Sequence, residues 1–231
     1  MISANGFKGF SDKSLTFLSD LRENNNKPWF ESSKTDYEKY VLEPAQQFII
    51  TMGNKLQSLA PEIIFDPRTD KSLFRIYRDI RFSKDKTPYK THLSMFFWEG
   101  EGKKLENSGF YFHLEPQKLL LAVGIHVFPP FLLKKYRDAV IDEKLGPELV
   151  SAVKKVKSNG NYIVGGAHYK RIPRDYPQEH PRAEFLLYNG LGAMFETPVP
   201  DELFTADLIN YCYRIYRDMY PLHQWLVEMK R

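Results

Sequence analysis

The sequence predicts an α+β chain: a mostly antiparallel sheet built from residues near 92 to 127, with helices from both termini packed against it. Three observations predict it. Apolar residues recur at helical spacing near both ends, strand-like alternation is concentrated in the middle, and a hairpin turn joins two of the strand-like runs. One domain spanning residues 1–231 is expected, because a chain of this length buries a core without disulfides.

Residues 11 to 25 fit a first helix, with Ser11 or Asp12 as cap, Leu15, Leu18 and Leu21 at helical spacing, and Asn24, Asn25 and Asn26 suited to its C-terminal end. Lys27-Pro28-Trp29-Phe30 breaks it. From about Ser32 a longer pattern carries Tyr37, Tyr40 and Val41, then Phe48, Met52, Leu56 and Leu59 on one stripe. Pro44, with no N–H to donate, kinks or splits that helix. In the sheet, Leu93, Met95 and Phe97 alternate with Ser94, Phe96 and Trp98, and GFYFHLE and LLLAVGIHV flank Pro116-Gln117-Lys118 as a hairpin. Pro129 and Pro130 end the sheet and open a helix from Phe131 to Asp142; a second runs from about Glu148 to Lys157. Gly165-Gly166 and HYKRIPRDYPQEHP read as one long polar loop, followed by a short helix near 182–188, a strand near 192–196 and a terminal helix from Asp201 to about Met229.

Hydrophobic residues make up 42% of the chain and charged residues 27%, ordinary for a globular protein, while 15% aromatic is high. Cys212 is alone, which excludes a disulfide framework and a thiolate metal cluster and suits a reducing compartment. The first residues carry no apolar core like that of a signal peptide, and no apolar run approaches the roughly 18 residues of a membrane span. The expectation is a cytoplasmic protein with no membrane partner; the oligomeric state is not legible.

Residues 71 to 90, KSLFRIYRDIRFSKDKTPYK, stand apart. They hold seven cations (Lys71, Arg75, Arg78, Arg81, Lys84, Lys86 and Lys90) against Asp79 and Asp85, a net of +5 in a chain of only +4. The other 211 residues sum to −1, so the positive charge is local. Leu73, Ile76, Tyr77 and Ile80 fit a helical stripe, while the branched and aromatic content also fits a strand, and both readings stay open. Thr87 before Pro88 makes the end irregular. A second set of cations, Lys170, Arg171, Arg174 and Arg182, lies in the later polar loop.

Guanidinium forks bind phosphate and carboxylate through paired hydrogen bonds and lysines add point charge, so this clustering points to an anion site. Its candidate ligands are Arg75, Arg78, Arg81, Lys86, Lys90, Arg171 and Arg174. Asp79 is expected to stay ionised and orient the arginines, since nearby cations lower a carboxylate's pKa and weaken it as an acid. Phe74, Tyr77, Phe82 and Tyr89 are expected to anchor the backbone. The bland alternative is arginines paired with surface carboxylates.

Other chemistry finds little footing. His113 and His126 flank the hairpin without converging, and there is no HExxH spacing, so no metal site is expected. There is no GxSxG, Walker loop or GxGxxG, so no catalytic residue and no cofactor is assigned. Cys212, among Tyr211, Tyr213 and Ile215, reads as a packed core thiol. The pentapeptide RIYRD occurs at 75–79 and again at 214–218 but the match does not extend, so no repeat follows.

Arg75, Arg78, Asp79, Arg81, Phe82, Lys86, Pro88 and Tyr89 together resemble the R-x-x-R-D-x-R-F-x-x-x-K-x-P-Y signature of the uncharacterised DUF2461 family, matching at every fixed position. NNNKPWFESSKTDY and YKRIPRDYPQEHP resemble two further elements of that family, with Asp175 where glycine is expected. The resemblance implies no biochemistry. It pairs the basic stretch with the 170–181 loop, and the two are expected to converge on one anionic site, with Trp29, Phe30 and Tyr37 as wall or core. A phosphate- or carboxylate-bearing small molecule is the expected ligand; nucleic acid and an acidic protein partner are the alternatives.

Overall fold

The structure, a computed structural model, describes residues 6–231. Its strands are β1 (Ile63–Ile64), β2 (Leu93–Glu99), β3 (Gly109–Leu114), β4 (Lys118–Ile125), β5 (Ile163–Ala167) and β6 (Tyr188–Pro198). They form a six-stranded antiparallel sheet in the order β1-β2-β3-β4-β6-β5, which gives the α+β fold expected. The helices are α1 (Asp12–Glu23), α2 (Lys27–Ser32), α3 (Lys34–Asp36), α4 (Glu43–Leu56), α5 (Pro130–Ile141), α6 (Leu145–Asn159) and α7 (Leu208–Lys230). The chain falls into two compact units. The first takes the chain to Phe97 with Tyr111–Leu120 and Glu196–Tyr213; the second takes Trp98–Phe110, Leu121–Phe195 and Arg214–Arg231.

In the first unit, α1 buries Ser14, Phe17, Leu18 and Leu21, the i, i+3, i+4, i+7 stripe of a one-faced helix. Lys27-Pro28 does not simply break the helical run. The Asn26 side chain accepts from the Trp29 N–H (3.0 Å) and caps a new short helix, α2, in which Pro28 sits in the first turn, where a missing donor costs nothing. Pro44 splits the next pattern as expected, and the split takes the form of a π-helical stretch over Tyr37–Leu42. An ordinary helix would have residue 44 donate to the Tyr40 carbonyl, which proline cannot do. Ser14 Oγ donates to that carbonyl instead, at 2.6 Å, and accepts from the Ser11 N–H at 3.1 Å.

Beyond the split, α4 buries Ala45, Phe48, Ile49, Met52 and Leu56. The Phe48 ring lies 4.8 Å from Phe112 on β3 and 6.5 Å from Phe97 on β2, so α4 covers this face of the sheet. The β3–β4 hairpin turns at Pro116-Gln117, with Glu115 and Lys118 exchanging backbone bonds at 2.9 and 3.4 Å. Phe112 and Leu114 therefore face the core while Tyr111 and His113 face the other way. Cys212 is fully buried, and burial pushes its thiol well above the ordinary value.

In the second unit, Phe110 packs on α7 through Tyr216 (5.3 Å) and His223 (4.7 Å). His223 is completely buried; its Nε2 lies 3.0 Å from Glu99 Oε2 and its Nδ1 2.9 Å from Ser108 Oγ. A carboxylate only accepts, so Nε2 carries a proton, and the serine hydroxyl can pair with Nδ1 in either direction. Gly165 and Gly166 belong to β5, not to a loop. A bulge between Gly165 and Ala167 shifts the pairing with β6, and a Cβ on Gly166, at φ +150°, would meet the Gly190 carbonyl. The two glycines, which have no side chain, hid this strand from a reading based on apolar alternation. Among the described residues no helix is long and apolar enough to cross a membrane.

Ser14→Ala should lower stability by about 1–3 kcal/mol in urea unfolding, because the Tyr40 carbonyl loses its donor. Pro44→Ala should recover part of that loss in the double variant by restoring an N–H, visible as a coupling energy between the two sites. Replacing His223 by Phe should cost about 3 kcal/mol by stranding Glu99. His223 holds the Glu99 carboxyl below its usual value, so the pair's contribution is present above the ordinary glutamate pKa and lost as pH falls below it. The variant should show a weaker fall in Tm across that acidic window.

Candidate functional site

Residues 71–90 form neither of the two expected elements. Ser72–Phe74 lies against β2, with the Phe96 N–H donating to the Ser72 carbonyl (2.9 Å) and the Phe74 N–H to the Ser94 carbonyl (3.1 Å). These bonds capture the backbone before a helix can start, which overturns the helical stripe: Leu73 and Ile76 are buried, but Tyr77 is 49% exposed. Further on, Tyr77 bridges Tyr89, the Arg78 N–H donates to the Pro88 carbonyl and the Lys90 N–H to the Ile76 carbonyl, both at 2.8 Å. The segment from Arg78 to Pro88 is therefore a loop with its ends tied together.

The base of the loop is fixed by the N-terminal helices. Asn25 donates through Nδ2 to the Tyr89 carbonyl (2.9 Å) and accepts through Oδ1 from the Tyr89 N–H (3.0 Å). Phe30 stacks on the buried Tyr89 ring at 4.2 Å, and Tyr37 lies 5.4 Å from Phe30. Burial, aided by Tyr77, pushes Tyr37 up to about 12. Trp29, 5.6 Å from Phe17, completes the aromatic group. Tyr89 is thus held at the base of the loop through both its backbone and its ring.

Several of the predicted anion ligands are committed to the loop itself. Arg78 Nη1 donates to Asp85 Oδ2 (2.5 Å), to the Thr87 carbonyl (3.0 Å) and to Thr87 Oγ1. Arg81 grips Asp79 with two bonds, 2.9 and 2.6 Å, and with its own N–H these hold the Asp79 carboxyl down at about 2. Asp85 is likewise held at about 2, first by the Thr87 N–H and then by Arg78. Lys86 Nζ donates to the Ile80 carbonyl at 2.9 Å. Phe82 does not anchor anything: it is 94% exposed, because the bonds around it turn the loop outward, and the Arg81 guanidinium lies 5.7 Å from its ring centroid.

Lys90 and Arg75 are differently placed. Lys90 Nζ donates to the Arg75 carbonyl (2.9 Å) and lies 5.6 Å from the Phe74 ring; burial first, and Arg75 second, lower its pKa, against the attraction of Asp70. Beside it is a pair that sequence spacing did not reveal. His92 stacks on His113 at 4.2 Å. His113 Nε2 lies 3.1 Å from Glu115 Oε1, so it carries a proton, and Nδ1 is hydrogen-bonded to the Tyr111 hydroxyl at 3.0 Å. Burial, then His113 and Lys90, push His92 down to about 4, so it is neutral at pH 7. Alternation along β3 already put Tyr111, His113 and Glu115 on one face; His92 arrives from before β2, where only tertiary pairing could place it.

Arg171 and Arg174 belong to the second unit, exposed on the segment after β5, which is braced by the Tyr176 hydroxyl on Asp138 (2.8 Å) and by Gln178 on the Pro173 and Tyr176 carbonyls. Arg182, from the same set, is taken up structurally: Nε donates to the Val140 carbonyl (2.7 Å) and Nη2 to the Asp142 carbonyl (3.0 Å), closing the end of α5. Among the described residues no group of three or more His, Cys, Asp or Glu side chains could hold a metal ion.

Residues 13–225 match the family described as conserved hypothetical protein (DUF2461), a span that includes both the basic loop and the 170–181 segment. No curated protein matches the chain.

Asn25→Ala should leave the fold intact but loosen the loop base, seen as faster amide hydrogen exchange across residues 76–90 with little change at α7. Asn25→Asp should loosen it more, because a carboxylate cannot donate to the Tyr89 carbonyl and is repelled by it.

Proposed function

From the premise that this chain belongs to the DUF2461 family of conserved hypothetical proteins, we propose that it binds a small phosphate- or carboxylate-bearing molecule beside Arg75, Lys90 and His92. One observation carries the reading: Lys90 is partly desolvated next to Arg75 and a histidine pair, an arrangement that disfavours its charge and that a bound anion would relieve. The donors suit such a ligand. An ammonium has three hydrogens, of which one is used on the Arg75 carbonyl, and Arg75 offers a planar fork. Arg78, Arg81 and Lys86 shape the loop in this reading, and Asp79 organises Arg81. Acid–base transformation of the ligand would use His92, which is a proton acceptor at pH 7.

Sulfate is a suitable probe, since it does not titrate between pH 4 and 8. It should raise the Tm of the wild-type protein and not that of Arg75→Ala or Lys90→Ala. Equal shifts in all three would refute the site. A bound dianion favours protonated His92, whose pKa in the free protein is about 4, so binding should take up a proton and strengthen as pH falls from 7 towards 5. His92→Asn should abolish that pH dependence.

A further inference from the structure

A different observation concerns the tip of the loop. Phe82 is held in water by a loop that is internally bonded: Arg78 to Asp85 and Thr87, Arg81 to Asp79, Lys86 to the Ile80 carbonyl, and Tyr77 to Tyr89 at the base. None of these bonds leaves the loop, so they fix a shape in which the ring points outward. The guanidinium beside it, tied by two bonds to Asp79, remains 76% exposed. Lys84, two residues on, is exposed, and the half-exposed Tyr77 offers a second ring at the base.

We infer that this tip is a docking surface for single-stranded nucleic acid, with one base stacked on Phe82 and the flanking phosphates met by Arg81 and Lys84. A single strand supplies both things the loop presents partners for, a planar ring and a negative charge on each residue of the polymer. The stack needs no hydrogen-bond readout, in keeping with a bare phenyl ring. An anionic membrane fits less well: the tip carries one exposed aromatic ring, too little apolar surface to insert among lipids. An acidic peptide matches the charge and leaves the ring unused. This reading does not rest on the anion site beside Lys90, which involves other residues and another ligand.

The test is fluorescence anisotropy of the full chain with a labelled oligothymidine of about 20 nucleotides, from about 50 to 200 mM salt. Binding that weakens with salt is expected. Phe82→Ala, which removes no buried contact and should leave circular dichroism unchanged, should weaken it about tenfold or more at every salt concentration, while Phe82→Trp retains it. Lys84→Ala should lower the salt slope by about one. Absence of binding at about 50 mM salt, or equal binding by Phe82→Ala and the wild type, would overturn the inference. So would Phe82-dependent binding to phosphatidylserine vesicles or to polyglutamate in place of the oligonucleotide.

Discussion

The carboxamide of Asn25 carries the same donor and acceptor as a peptide group, and both are used on the backbone of Tyr89. An irregular segment has no ladder of its own, so its polar groups need partners from elsewhere when they are withdrawn from water. Asn25 acts as one rung of a missing strand. Phe30, five residues on, then stacks on the Tyr89 ring, and the two contacts together lock the carboxyl end of the basic loop to α1 and α2. With the start of the segment bonded to β2, the loop between has little choice of shape. Those attachments fix its ends, and its own bonds place Arg78, Arg81 and Lys86.

The charge of this loop is divided between architecture and display. Arg78 and Arg81 are paired with Asp85 and Asp79, and Lys86 caps a carbonyl. Exposed pairs of this kind contribute little to stability, so their consequence is geometric: they hold a short loop in one conformation. Lys90 and His92 sit on the other side of the division. Partial burial disfavours their charged forms, and among the described residues they make no ion pair within the loop that would offset it.

Much of the fold was legible. The i, i+3, i+4 stripe of α1, the Phe48–Met52–Leu56 stripe of α4, the Pro116-Gln117 hairpin and the terminal helix all follow from local periodicity. Pro44 predicted a disruption as well, though not that Ser14, 30 residues earlier, would supply the missing donor. Gly165 and Gly166 were read as loop because they lack the bulk that marks a strand; Gly166 serves a close approach to β6 that no local signal announces. Of the candidate site, the basic loop, its aspartate and Tyr89 were visible in the sequence. His92 and Asn25 were not, because each matters only through a partner distant in the chain. Phe82 was misread as an anchor, since an aromatic residue in sequence carries no label saying which side of a loop it occupies.

The pentapeptide RIYRD marks the boundary between the two kinds of knowledge. At 214–218 it lies within α7, where Ile215 and Tyr216 are buried and continue the stripe of Leu208, Cys212, Met219 and Leu222. At 75–79 the same residues are irregular, with Ile76 buried and Tyr77 half exposed. The sequence by itself determined the central strands, the longer helices and the concentration of positive charge in one 20-residue stretch, because hydrophobic period and charge are local properties. Tertiary structure alone decided the form of that stretch and which of its cations are spent on bonds within it, because both helix and strand patterns fit it locally and the backbone of β2, with Asn25, bonded its backbone instead.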